Sequence, residues 1–279
     1  RVDGHAGLAN ARALSAAGIG AATPDPPGGR IERFPDGSPT GLLIDNAMDL
    51  VEKVIPPPTD RALERRLLLA QRACFAAGLT RVHDAWSTTR VRELLRDLES
   101  TGKWRLGVYG MLPAPAEGTE LPAPDDPGPR AALRFRAVKL FADGALGSRG
   151  AALLEPYADD PDNRGLLVTP ERQLRLVTAA AAAAGLQPCT HAIGDRANRL
   201  MLKVYETEMT AVQRIALRPR IEHAQVLHPG DIERLARLEV IAAMQPTHLT
   251  TDMPWAPRRL GPDRIPASYA FRTLIEAGV

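Results

Sequence analysis

Apolar and polar positions alternate between two periods along most of the chain. After the Pro-rich VIPPPTD, the stretch RALERRLLLAQRACFAAG places apolar residues at helical spacing and ends in Gly78. Thr59 or Asp60 stands ready as N-cap, so a helix over 60–77 is predicted. Short strand-like runs and helical stretches then take turns. LTRVHDAW, WRLGVYGML, FRAVKLFADG, QPCTHAIGD, RPRIEHAQV and EVIAAMQPTH read as six strands, and RVRELLRDLESTG, 171–184, 196–208 and 229–238 read as helices. Thr169-Pro170 and Pro229 lie where helix starts tolerate proline, and a Pro/Gly/Asp-rich linker covers 113–130. This alternation implies right-handed βαβ units and a parallel sheet. No G-x-G-x-x-G follows any of the strands, which favours a (β/α) barrel over a doubly wound sheet, although periodicity alone separates the two poorly. Residues 1–55 lack the alternation, but GGRIERFPDGSPTGLLID reads as a β-hairpin turning at D-G, within a small subdomain.

Composition narrows the class. The chain has 279 residues, 44% hydrophobic and 24% charged, enough for one large α/β domain with an appendage. Its 35 basic and 33 acidic residues nearly cancel without runs of one sign, so neither nucleic acid nor an anionic membrane is expected as partner. A small-molecule substrate is the better default. No stretch approaches the ~18 apolar residues of a membrane span, the AAAAA run near 180 being flanked by charge. Cys74 and Cys189 suit a reducing compartment, and a cytoplasmic location is expected on that ground.

In a barrel the chemistry sits where strands end. The residues at those places are His83-Asp84, Lys139 through Arg149, His191 through Asp195, His223, and Gln245 through His248. His191 and His223 end successive strands at equivalent positions, which suits either a pair of convergent metal-ligating imidazoles or two hydrogen-bonded core histidines. Lys139, between Val138 and Leu140, puts an ammonium on a central strand. It is explained by an ion pair, by a rim position open to solvent, or by a depressed pKa that lets the amine take up CO2 as an anionic carbamate ligand.

The wording of the motifs is more specific. RVDGHAGLAN, GLTRVHDAW, VKLFADGALGSRGAALLEPYAD, THAIGDRAN, RIEHAQ and QPTHLTTDMPW, spread over residues 1 to about 256, resemble the amidohydrolase superfamily. The nearest branch is amidohydrolase family 3, which includes N-substituted formamide deformylase-like enzymes. The resemblance implies an incomplete TIM-type (β/α) barrel over 56–279, holding barrel strands two to seven, with 1–55 as an inserted α+β subdomain. It implies Lys139, as a carboxylated lysine, with His191 and His223 as ligands to one or two divalent transition metal ions, zinc foremost. An H-x-H pair would precede residue 1 and a general-base Asp would follow Val279, so the chain is expected to be a fragment, inactive alone and prone to associate, a homo-oligomer being one outcome, through open sheet edges. In the whole site a metal-activated water would cleave an amide or formamide C–N bond.

The remaining candidates carry a structural alternative beside the functional one. His83 could touch substrate or make a structural hydrogen bond. Asp143 and Arg149 could orient ligand or hold their loop, and Asp195 could cap a helix or support the site from behind. His5, His228 and His248 are read as structural or exposed. A deaminase or esterase on the same barrel, and a non-catalytic truncated homologue acting as a binding module, are the competing functions.

Overall fold

The computed structural model describes residues 1, 3–115 and 120–279. The chain divides into two compact units, one comprising Arg1–Pro56, Phe141–Leu176 and Thr190–Val279, the other Pro57–Leu140 and Val177–Cys189.

The first unit begins with a three-stranded antiparallel sheet of order β1-β3-β2, built from β1 (Ala6–Leu8), β2 (Gly29–Arg33) and β3 (Pro39–Asp45). The predicted hairpin is β2 and β3. Its turn closes where Asp36 Oδ1 accepts the Ser38 N–H at 2.9 Å and Gly37 takes φ 85°. The strand β1 escaped the sequence reading because three residues carry too little alternation. Between β1 and β2 lies α1 (Ala11–Ala16), capped by Asn10, and α2 (Asp49–Glu52) follows β3. Leu14, Ile19, Ile31, Leu43 and Ala47 form the core beneath these elements.

In the second unit the Thr59 hydroxyl caps α3 (Asp60–Ala76), as its sequence predicts. Then come β4 (Arg81–Asp84), α4 (Thr89–Ser100), β5 (Gly107–Pro113) and β6 (Leu133–Phe141), whose last residue belongs to the first unit. The helix α4 turns Leu95 and Leu98 onto Val108, Leu112, Leu133 and Phe135. Each such leucine removed from water contributes roughly 1.5–3 kcal/mol. The buried Gln71 of α3 fixes the entry to β5: its Oε1 accepts from Arg105 N at 2.7 Å and Leu106 N at 3.1 Å. Of the predicted linker, residues 116–119 lie outside the described residues.

The remaining elements are α5 (Glu171–Ala183), β7 (Gln187–Ala192), α6 (Asp195–Glu208), α7 (Ala211–Leu217), β8 (Arg220–His223), α8 (Pro229–Arg237) and β9 (Ile241–Ala243). Three short helices close the chain: α9 (Pro246–Asp252), α10 (Ala256–Leu260) and α11 (Phe271–Glu276). Strands β4 to β9 follow one another in chain order with no reversal, and the pairs β4–β5, β5–β6 and β8–β9 are parallel. The fold is therefore α/β with a parallel sheet, and the six predicted strands are six observed strands. Two differences have local causes. The run EVIAAMQPTH gives only a three-residue strand because Pro246 opens α9. The unpredicted α7 is short, started by a Thr210–Gln213 capping box and stopped by Arg218 at φ 50°.

Candidate metal centre

His191 and His223, both in the first unit, end β7 and β8 with ring centroids 4.7 Å apart at 72°. His223 Nδ1 lies 2.7 Å from Gln245 Oε1, while Gln245 Nε2 donates to Ala243 O at 2.8 Å. That second bond fixes the amide orientation, so His223 donates through Nδ1–H and carries its lone pair on Nε2. His191, almost wholly buried, faces acceptors with Nε2, at 3.3 Å from Gly144 O and 3.6 Å from Asp143 Oδ1. Its lone pair therefore sits on Nδ1. Each ring thus has one nitrogen tied to an acceptor and the other in ligand form, the arrangement that metal-binding imidazoles show. Two imidazoles bonded to one ion at ~2.0–2.1 Å have centroids roughly 4.5–5 Å apart, so the pair fits a shared metal. The backbone here is strained, with His223 at φ 79° and Ala224 at φ 42°.

Asp143 braces the pair. It is fully buried and accepts backbone N–H bonds from Ala152 (2.8 Å), Ile193 (3.0 Å) and Gly194 (2.8 Å). Burial pushes its carboxyl up to about 8, against the opposing pull of those three donors. Gly194 is required by space: a Cβ there would fall 1.9 Å from Ala152 O. Asp195 ties the same loop to α6, accepting from Leu154 N at 2.8 Å and from its neighbour Arg196 N at 2.9 Å. Arg149, at φ 55°, holds Asp159 at 3.0 Å. Asp143, Arg149 and Asp195 thus all make loop-holding bonds.

Two residues read as structural or exposed lie against the pair. The His5 ring is 4.5 Å from His191 by centroids, with Nδ1 2.6 Å from Asp45 Oδ1. The His248 ring stacks on His223 at 5.3 Å, and its Nδ1 is 3.4 Å from Gln225 Oε1. His248 stands among the strand-end residues in the sequence, whereas only the D-G-H motif wording could have drawn attention to His5. His228, by contrast, caps α8.

In the second unit, Lys139 is 4% exposed near the end of β6, across from Pro113 of β5. His83 is exposed and rests on Tyr109, ring centroids 4.9 Å apart, while its neighbour Asp84 accepts from the Ser87 hydroxyl. Among the described residues no three His, Cys, Asp or Glu side chains form a metal cage by themselves.

A profile of the amidohydrolase family matches residues 1–279. The chain belongs to that family. Within it, the chain is 37% identical to YtcJ of Bacillus subtilis (strain 168) over its whole length, covering 53% of that protein. It is 30% identical to the N-substituted formamide deformylase of Arthrobacter pascens, with 87% of this chain and 46% of that protein covered. Among solved structures, a metal-dependent hydrolase from Pyrococcus horikoshii matches with TM-score 0.75 and 28% identity, over 98% of this chain and 53% of that one. This amidohydrolase chain thus spans about half the length of the relatives it matches. The Pyrococcus horikoshii structure is described as that of a metal-dependent hydrolase. No helix among the described residues is long and apolar enough to cross a membrane.

Proposed function

We propose that this chain carries part of the catalytic centre of a metal-dependent amidohydrolase that cleaves an amide or formamide C–N bond. The observation that carries the reading is the His191–His223 pair: two imidazoles 4.7 Å apart, each with its other nitrogen on an acceptor. His191 and His223 would hold a divalent ion there, zinc by preference for imidazole and oxygen donors, which would supply carbonyl polarisation and a water of lowered pKa. Burial near the end of β6 and the family pattern argue for Lys139 as a metal ligand, as a carbamate. The matching deformylase, by its name, acts on N-substituted formamides, and the C–N assignment rests on that likeness.

The chain's own residues do the holding. Gln245 fixes the His223 tautomer, and Asp143 with Gly144 fixes that of His191. Asp195 keeps the loop after β6 against the start of α6, and His83 is left to substrate contact at the end of β4. For the architecture, six strands in unbroken chain order suit part of a (β/α) barrel, with residues 1–55 inserted into it.

Elemental analysis of the full-length protein tests the ligand assignment. One or two transition-metal ions per chain are expected in the parent, and fewer in His191→Ala and His223→Ala. Turnover of N-formyl and N-acyl amides should fall roughly 10³-fold in both variants, as the loss of several kcal/mol of charge stabilisation requires. Unchanged metal in both would sink the assignment.

A further inference from the structure

We propose that His5, held by Asp45, is a specificity-determining residue of the hydrolytic centre, accepting a hydrogen bond from the N–H of a secondary amide or N-monosubstituted formamide. This deepens the amidohydrolase reading above and rests on it.

The geometry is local to the first unit. His5 immediately precedes β1, where the Asp3 carboxylate accepts the His5 N–H at 3.0 Å. Asp45, the last residue of β3, pairs with the ring at 2.6 Å. The Asp45 side chain is 1% exposed and the His5 side chain 12%. With Nδ1 turned to the carboxylate, Nε2 is the ring nitrogen placed to accept a hydrogen bond. Two features show that Asp45 is held in place at some cost. Its backbone sits at φ 48°, and its second oxygen, Oδ2, is buried with no hydrogen-bond partner. That oxygen lies against Gly144, where a Cβ would come within 2.2 Å of it. A merely structural aspartate at a turn would be expected to use both oxygens.

A carboxylate–histidine pair is also what metal sites use, so His5 must be weighed as a ligand. Against that role, His5, His191 and His223 do not form a three-residue cage, although the rings of His5 and His223 each lie within 5 Å of His191. An acceptor beside the imidazole pair, outside a shared cage, is placed to meet a group on the molecule that the centre binds. A C–N substrate offers its amide N–H. Substrates with two substituents on nitrogen have none and would be discriminated against.

The test uses the metal-loaded full-length protein and two probes, acetohydroxamate, which has an N–H, and N-methylacetohydroxamate, which lacks it. By calorimetry the parent should bind the first about 10-fold more tightly, the worth of one hydrogen bond. In His5→Phe, a ring of similar size with no acceptor, that preference should collapse through weaker binding of acetohydroxamate alone, with metal content unchanged. Asp45→Asn, a residue that tolerates positive φ, should lose a few-fold of the preference and serves if His5→Phe does not fold. An unchanged preference at full metal content overturns the assignment and leaves the metal reading standing. Loss of metal in His5→Phe overturns it too, by making His5 a ligand. If the parent binds neither probe, the amidohydrolase reading itself falls.

Discussion

His83 and His191 both stand near a strand's C-terminal end, and there the likeness stops. His83 is exposed and has Tyr109 against its ring. His191 is enclosed by His5, Phe141 and His223, with Asp143 and Gly144 fixing its tautomer. A strand-end position is thus a poor marker by itself. Enclosure among rings and beside a buried carboxylate separates His191 from the exposed His83.

Three substitutions would break or sharpen that contrast. The largest effect is expected for Asp143→Ala, which leaves the N–H groups of Ala152, Ile193 and Gly194 buried without their acceptor. A loss of roughly 3–5 kcal/mol in denaturant unfolding is expected, whether or not metal is present. A loss under 1 kcal/mol would mean that the loop does not depend on this carboxylate. Next comes Gln245→Ala, which frees the His223 tautomer. Metal affinity should drop about 10- to 100-fold by competition with a chelator, while the melting temperature moves little. Equal affinity would remove Gln245 from the account. Smallest of all is His83→Ala, expected within about 0.5 kcal/mol in stability and without effect on metal content. A drop in turnover with normal binding of metal is what the proposed substrate contact requires, and unchanged turnover would remove His83 from the site.

Much of the architecture is legible in the sequence because βαβ units advertise themselves locally. Strands β4 to β8 are short runs set between helical stretches, and Thr59 and Pro229 mark helix starts that the structure keeps. His191 and His223 are legible for the same reason, each closing its own strand. His5 and His248 are not. The contact between His5 and His191 joins residues 186 positions apart, and β1 is too short to announce that His5 leads into a strand. Gln245 was among the residues at strand ends, but its hold on one tautomer depends on a bond to Ala243 that no pattern of side chains encodes. The roles of Asp143 and Asp195 are hidden likewise, since their partners are backbone N–H groups on a loop with no regular period.

The strained backbone at His223 and Ala224 has a consequence for how such a sequence ages. Residues other than glycine pay roughly 1–3 kcal/mol each to sit in unfavourable φ/ψ regions. A descendant relieved of its chemistry would therefore be driven to glycine at both positions by stability alone. On the proposed reading, the strain carried at 223 is a cost that a histidine without a ligand to hold has no reason to bear.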